Sequence, residues 1–249
     1  MELYEAFISS VPAHLRVTMA VRGRYQAYVE TEGGAGLASL PLPGKKPYGD
    51  AAVCTDWLGK PLRDLAAQLG SDDMALSALG CAAVNAWFNR RESMEALGVA
   101  LYPPEIDEGD VFRTLEPECA GKLVSTVGHF HGGEKLAGMR ELRVFEKDPR
   151  PGDYPEREED RLLPGSDVVI ITGIALTNGT MPHILELCRD SQIVALSGPS
   201  VPVSPIWFDH GVTALFGTLC WDIPGCRKAM RYGGHKDTWK YMGKSVLRK

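Results

Sequence analysis

The stretch that decides the fold covers residues 142–216, where three strand-like runs, LRVFE (142–146), DVVIIT (167–172) and QIVAL (192–196), each lead into small polar residues. The first run ends on Glu146, the second continues into a TNGT turn (177–180), and the third into an SGPS turn (197–200). In an open parallel sheet the carboxyl ends of the strands meet at one edge, and ligands are held there. The stretch therefore predicts a small-molecule-binding protein and favours an enzyme, without indicating a reaction.

Two further strand-like runs continue the alternation of strands and helices. Residues 122–127 and 212–216 read as strands, and helical segments at 155–163, 181–189 and 223–232 separate the strands. Strands that alternate with helices predict βαβ units with right-handed crossovers. We therefore expect residues 119–249 to form an α/β, Rossmann-like domain with a mostly parallel sheet of five or more strands.

In the first half of the chain, the predicted strands come first and the helices follow. Residues 15–21 and 25–30 alternate apolar and polar side chains around Arg22-Gly23-Arg24, which predicts an antiparallel hairpin, and residues 36–42 can add a third strand. Residues 72–88 predict a helix that is apolar on nearly every side and hence buried between this sheet and the second domain. These features predict an α+β domain over 1–101, joined by a Pro-, Glu- and Asp-rich linker over 102–118.

Bulk properties narrow the class of protein. The net charge of -5 and pI near 5.7 argue against a nucleic-acid partner, and 249 residues with no apolar run of 18 argue against a membrane span. The basic end, Lys236–Lys249, is either a candidate patch for nucleic acid or, as we favour, a solvated tail. The start lacks the pattern of a signal peptide, so we expect a cytoplasmic protein. Six scattered cysteines without a C-x-x-C pair indicate buried thiols.

The turn after residues 122–127 contains Gly128, Gly132 and Gly133, whose spacing does not match G-x-G-x-x-G, so a dinucleotide site is only weakly supported. Glu146 nevertheless follows Gly128 by about 20 residues, where an acidic side chain would take a pair of ribose hydroxyls. The alternative for Glu146 is a structural carboxylate that caps the chain or pairs with Lys147 or Arg150.

The same turn carries His129 and His131, with Glu134 close by. Imidazole and carboxylate groups suit zinc or iron, so a divalent heavy metal is a candidate cofactor. The alternative is an ordinary loop at the mouth of a pocket, because no third histidine lies nearby in the sequence.

The TNGT turn is the sharpest local motif. Asn178-Gly179 predicts a tight turn, and Thr180 is placed to N-cap the next helix, whose free N–H groups would favour an anionic ligand group. Thr172 and the SGPS turn should lie at the same edge. Asn85, an amide in an apolar helix, either binds a backbone group or reaches the ligand. No G-x-S-x-G elbow and no Walker loop occur in the sequence.

Several motifs, taken in order, resemble one known family. They are VGHF (127–130), LRVFEKDP (142–149), LLPGSDVVIIT (162–172), NGT (178–180) and SGPSVP (197–202), with weaker echoes in the first half at GLA (36–38) and NA (85–86). The family is a heavy-metal-chelation domain family of prokaryotes, formerly a domain of unknown function. His131 stands where the family pattern has proline, so a metal role for the histidine pair would be peculiar to this chain.

The resemblance implies an enolase N-terminal-like domain followed by a Rossmann-like domain, with the site between them. It implies a role in metal handling, through condensation or hydrolysis of a flavin-, pterin- or siderophore-like chelator. The positions that match its recurrent motifs are Gly128, Phe130, Glu146, Thr172, Asn178, Thr180, Gly198, Pro199 and Ser200.

Three functional hypotheses follow. The leading one is a hydrolase or condensing enzyme on a chelator-, pterin- or flavin-like compound, with Glu146 and Asn178 as catalytic residues and Asn85 among the ligand-binding residues. The second is a non-catalytic binder of a heavy metal or metal chelate through His129 and His131. The third is an S-adenosylmethionine-dependent transferase. The sequence does not decide the oligomeric state.

Overall fold

A computed structural model describes residues 2–42, 46–130, 136–232 and 235–249. The strands of this part of the chain are β1 Val17–Arg22, β2 Gln26–Thr31, β3 Gly34–Ser39, β4 Ala52–Val53, β5 Ala100–Tyr102, β6 Leu123–Val127, β7 Glu141–Glu146, β8 Tyr154–Pro155, β9 Val168–Thr172, β10 Ile193–Ser197, β11 Ala214–Cys220 and β12 Met242–Arg248. The α-helices are α1 Glu2–Ser10, α2 Leu62–Ala66, α3 Met74–Phe88, α4 Arg91–Ala96, α5 Val111–Cys119, α6 Glu159–Leu162, α7 Ile174–Thr177, α8 Met181–Leu187, α9 Ile223–Tyr232 and α10 His235–Thr238.

The smaller sheet has the order β3-β2-β1-β4 and is antiparallel, which confirms the predicted hairpin and third strand. Helix α3 packs on it and is N-capped by Asp73, whose carboxylate accepts the N–H groups of Ala75 and Leu76. The contact is close because β3 carries Gly36, where a Cβ atom would lie 2.2 Å from the carbonyl oxygen of Ala82. The helix is therefore buried, as its apolar composition predicts.

The larger sheet has the order β5-β12-β11-β10-β9-β6-β7-β8. Strands β6 to β11 pair in parallel, and they include the five strands that the sequence predicts. Strands β12 and β5 are antiparallel at one side, so the sheet is mixed. The chain is thus a mixed α/β protein with two sheets.

The C-terminal prediction was wrong. Instead of a solvated tail, β12 lies inside the larger sheet, where it pairs with β11 over seven residues and with β5 on its other side. Pairing on both sides of its middle residues, 244–246, satisfies their backbone groups, and this holds the strand in the sheet despite its two basic side chains, Lys244 and Arg248. Within the predicted linker, residues 111–119 form α5, whose apolar side chains pack under the sheet.

A row of polar residues on α3 joins the helix to the larger-sheet side of the molecule. Ser77 Oγ donates to the carbonyl of Thr177 at 2.7 Å, and Cys81 Sγ donates to that of Ser200 at 3.3 Å. Four residues further on, Asn85 Nδ2 donates to the carbonyl of Pro199 at 2.9 Å. The four-residue spacing places these groups on one side of the helix.

Asn89, one further turn along, completes this row. Its amide donates to the carbonyls of Val201 and Thr218 and accepts the N–H of Val203, all within 3.0 Å. These bonds connect α3 to the segment after β10 and to β11. In the described part of the chain, no helix is both long and apolar enough to cross a membrane.

Candidate functional site

The chain reverses its direction of strand addition between β6 and β9. From β6 it passes to β7 on one side, and later to β9 on the other, so β6 and β9 are neighbours whose following connections diverge. Such a switch point leaves a crevice at the carboxyl ends of the strands, where α/β proteins bind ligands. A cavity of about 690 Å³ lies there, a size typical of small-molecule sites.

The cavity lies between the two sheets. Its larger-sheet wall includes six residues that the sequence singles out, namely Gly128, His129, Glu146, Thr172, Asn178 and Thr180. The opposite wall comes from the end of β3 and the start of α3, through residues 39–42, Tyr25 and Met74. The strand ends therefore bring the predicted polar residues together.

Glu146 is fixed at the end of β7 by backbone contacts. Its Oε2 accepts the N–H of His129 at 2.9 Å and its Oε1 accepts the N–H of Lys147 at 3.0 Å. Each oxygen keeps lone pairs for a further donor. Glu146 thus has the fixed position that a ligand-holding carboxylate needs, although the contact with Lys147 also meets the structural alternative.

Gly128 begins the turn after β6 with φ of 93°, a conformation that side chains other than glycine rarely adopt. A Cβ atom there would lie 2.8 Å from Cγ2 of Thr172 on the neighbouring strand. The turn after β6 therefore approaches Thr172 so closely that only glycine fits at position 128.

We expect Gly128→Ala to lower the free energy of unfolding by about 2 to 3 kcal/mol, because it combines backbone strain with a clash. Gly121→Ala is the matched control, since Gly121 has φ of 71° with open space around it and should cost only about 1 kcal/mol. Urea titration of both variants checks the difference. Equal losses would show that the contact with Thr172 is unimportant.

The TNGT turn differs from its prediction in one respect. Thr180 occupies the predicted N-cap position of α8, but its side chain forms no capping hydrogen bond; its Oγ1 donates instead to Asn178 Oδ1 at 2.8 Å, and its own N–H donates to the same oxygen. The physical reason is that Thr180 already has helical dihedrals, with φ of -87° and ψ of -14°, which turn its hydroxyl away from the free N–H groups. Asn178 therefore organises this wall of the cavity.

The SGPS turn, Phe130 and Asn85 do not line the cavity, and their contacts are with other parts of the protein. Ser200 is buried, and its Oγ accepts the N–H of Ser39 at 2.8 Å. Phe130 packs edge-on against Phe112 of α5. Asn85, also buried, donates to the carbonyls of Leu37 and Pro199, which is the structural alternative that the sequence left open. The turn with Gly198 and Pro199 thus contacts the smaller-sheet side of the molecule.

Glu159 is a cavity residue that the sequence analysis missed. It begins α6, lines the cavity and is only 6% exposed. Burial, and secondarily the charge of Glu156, raise the pKa of Glu159 to about 7. Its carboxyl group is therefore poised between its neutral and charged forms near neutral pH, as acid–base residues often are.

The residues described here do not form a metal centre. His129 Nε2 lies 2.6 Å from a guanidinium nitrogen of Arg150, and its Nδ1 lies 3.5 Å from the Asp153 carboxylate. Because a guanidinium can only donate, Nε2 accepts and Nδ1 carries the proton, so neither nitrogen is available for a metal. His131 lies outside the described residues.

Other donor types do not replace the histidines. No group of three or more His, Cys, Asp or Glu within the described ranges is arranged to hold an ion. Burial raises the pKa of the Cys119 thiol to about 11 and that of Cys188 to about 12, which disfavours the thiolate form that binds metals. The described part of the chain thus does not fit a resident metal.

Comparisons with known proteins agree on one family. Two family models match, over residues 110–249 and 4–88, and both carry the description "Putative heavy-metal chelation". An uncharacterized protein of Methanocaldococcus jannaschii is 27% identical over 179 residues, covering 70% of this chain. The match spans 65% of that relative's own length, slightly less than two thirds.

Two solved structures from the family that matches residues 110–249 are similar over nearly the whole chain, and both proteins are described as having unknown function. The one from Desulfitobacterium hafniense superposes with a TM-score of 0.84 and 27% identity, covering 100% of this chain and 97% of its own. The one from Pyrococcus horikoshii gives 0.79 and 19%, covering 99% and 98%. At that lower identity the likeness shows the fold alone.

Proposed function

Because the chain belongs to the heavy-metal-chelation family, we propose that it binds a small organic molecule in the cavity between its two sheets. We further propose that it acts there as an enzyme, by condensation or hydrolysis of a chelator-, pterin- or flavin-like compound. Metal handling would then reside in the organic compound rather than in the protein's own side chains.

One observation carries this proposal: the cavity lies at the switch point between β6 and β9, and its wall contains the strand-end residues that the sequence singles out. The lining also joins apolar side chains, such as Leu40, Phe145 and Ile184, to a few polar groups. This combination is typical of sites for organic molecules, in which apolar surface gives affinity and polar groups give orientation.

The positions of the polar residues in the cavity wall suggest a role for each of them in ligand binding. Glu146 holds hydroxyl or N–H groups of the ligand, or takes a proton from it, while Asn178 orients the ligand from the neighbouring turn. The Asn178 side-chain N–H groups can stabilise negative charge that develops on an oxygen of the substrate. Thr172 and Thr180 add hydroxyl groups at the same edge.

The finer fold assignments belong to the same proposal. We infer an enolase N-terminal-like arrangement for the antiparallel sheet with α2 and α3, and a Rossmann-like arrangement for the parallel strands. The hairpin followed by helices supports the first, and the strand reversal at β6 supports the second.

The metal-chelate binder is the rival function, and it shares the cavity because a chelate needs no metal ligands from the protein. It differs from the enzyme in leaving its ligand unchanged. An S-adenosylmethionine-dependent transferase has weaker support, because the turn at Gly128 lacks the glycine spacing of a nucleotide site.

We expect Glu146→Gln to weaken ligand binding at least about tenfold, since a charge-assisted hydrogen bond contributes about 1.5 to 3 kcal/mol. Affinity selection from a cell extract, followed by mass spectrometry, would identify the bound compound, and calorimetry would measure both variants. Incubation of that compound with the protein, followed by mass analysis, separates the enzyme from the binder.

Glu141→Gln is the matched control, because Glu141 lies on the same strand but is exposed and paired with Arg143. It should leave the affinity unchanged. Equal affinity in the wild type and Glu146→Gln would refute the assigned role of Glu146.

A further inference from the structure

Glu159 is the most buried of the described carboxyl groups that line the cavity, and the described residues give it no hydrogen-bond or ion-pair partner. Glu159 is 6% exposed, yet within the described ranges no side chain or backbone group forms a hydrogen bond or ion pair with its carboxyl group. Buried polar groups are normally paired, and an unpaired one in a cavity wall indicates a partner that arrives from outside. The partner has to be something that enters the cavity.

The charges around Glu159 indicate the chemistry of that partner. Among the described residues that line the same cavity, Glu146 and Glu156 add two further carboxylates, and the lysine there, Lys147, forms an ion pair with Glu156 through its Nζ at 3.2 Å. An anionic ligand would meet an excess of negative charge there, whereas a basic one would relieve it.

The remaining charged groups near Glu159 are already engaged. On α8, His183 Nε2 lies 2.6 Å from Oδ1 of Asp160, the residue after Glu159, and the same helix is followed by the buried, protonated Cys188. These groups modulate the field at Glu159 without binding it. Since Glu159 lines the cavity, its carboxyl group remains available to a ligand that binds there.

We propose that Glu159 recognises a basic nitrogen of the ligand, and that the ligand class is an organic base with an apolar body. The neutral carboxylic acid transfers its proton to the nitrogen, or a carboxylate meets an already protonated nitrogen, and both routes end in the same ion pair. This inference rests on the proposed function, because it assumes that the cavity is the ligand site. It excludes phosphorylated and other strongly anionic compounds.

Three matched probes test the proposal: 2-aminobenzimidazole as the base, 2-aminobenzothiazole as a much weaker base of similar shape, and indole-2-carboxylate as the anion. Ligand-observed NMR near pH 7.5 would give their dissociation constants. We expect the wild type to prefer the base to the weaker base about tenfold or more, and the anion to bind most weakly. Glu159→Gln should reduce that preference to within about twofold.

Two variants keep the outcome decisive. Glu156→Gln removes a cavity carboxylate that is already paired with Lys147, and it should keep the preference for the base. Ile174→Trp places a large side chain in the cavity wall and should abolish binding of all three probes. A preference that survives in Glu159→Gln, a preference for the anion, or no binding by any probe would each overturn the proposal.

The failure of this inference differs from that of the proposed function. If the three probes bind equally and Ile174→Trp blocks them, the cavity remains the ligand site but Glu159 does not select a base. If neither the probes nor any compound from a cell extract binds in a manner that Ile174→Trp blocks, the proposed function fails as well.

Discussion

Replacing Glu159 with Gln is expected to raise the free energy of unfolding by about 3 kcal/mol near pH 8, with almost no effect near pH 4. The reason is the cost of ionising a buried, unpaired carboxyl group. Its pKa is raised from 4.5 to about 7 in the folded protein, and one pKa unit corresponds to about 1.4 kcal/mol.

The direction of the pH dependence follows from which state binds the proton more tightly. Folding raises the pKa of Glu159, so the folded protein holds this proton more tightly than the unfolded chain does. Its contribution to stability is therefore complete below pH 4.5 and is lost as the pH rises to about 7. Gln does not ionise, so the free energy of unfolding of the variant does not fall in this way as the pH rises.

Urea titrations of the wild type and Glu159→Gln at a series of pH values measure this effect. The difference in the free energy of unfolding should grow between pH 4.5 and 7 and then level off. Glu156→Gln is the control, and because it removes only a partly exposed ion pair it should change stability by less than about 1 kcal/mol. A constant difference across the pH range would contradict the account. A variant that is more stable but binds the base less well is expected of a functional residue.

Asn89→Ala is expected to lower the free energy of unfolding by about 3 to 5 kcal/mol. The change leaves the carbonyls of Val201 and Thr218 and the N–H of Val203 buried without their partner. Each unpaired buried group costs about 1 to 3 kcal/mol, partly relieved by local movement. The loss should also disturb the cavity, because α3 forms part of its wall at Met74.

Asn178→Ala provides the matched comparison, since it removes the same amide group from a half-buried turn where the oxygen bonds only Thr180. It should cost less than about 1 kcal/mol. Chemical denaturation of Asn89→Ala and Asn178→Ala measures the loss in the free energy of unfolding for each variant. If the two variants lose similar stability, the polar row on α3 does not join the two parts of the molecule.

The parallel strands could be predicted because each is a run of β-branched residues bounded by turn residues, as in DVVIIT at 167–172. The run MGKSVLR at 242–248 has no such signal, and β12 forms because it pairs with β11 and with β5, which lies some 140 residues away in the sequence. Long-range pairing of this kind is decided by tertiary structure rather than by local pattern.

The residues of the site likewise divide into those that the sequence predicts and those that it does not. Gly128, Glu146 and Thr172 could be predicted because they directly follow or end strands, so topology places them at one edge. Glu159 belongs to the charged run EREEDR at 156–161, where its composition does not distinguish it from its neighbours. A signal was present in the helical spacing, because Glu159 and the buried Leu163 lie four residues apart on one side of α6.

The row on α3 could also have been found from spacing. Ser77, Cys81, Asn85 and Asn89 recur every fourth residue in a helix that is otherwise apolar, yet only Asn85 was singled out. Polar residues at that interval predict a line of hydrogen bonds along one side of a buried helix. What they bind could not be predicted, since each binds a backbone group 100 or more residues away.

If the cavity between the two sheets holds a small organic molecule, that molecule should stay with the protein during purification. Native mass spectrometry of freshly purified wild type and Ile174→Trp, exposed to the same cell extract and paired with elemental analysis, would detect it. We expect one organic mass per wild-type chain, absent from Ile174→Trp, with no metal bound by protein side chains alone. A metal held at one per chain in both proteins, without any organic mass, would contradict this expectation.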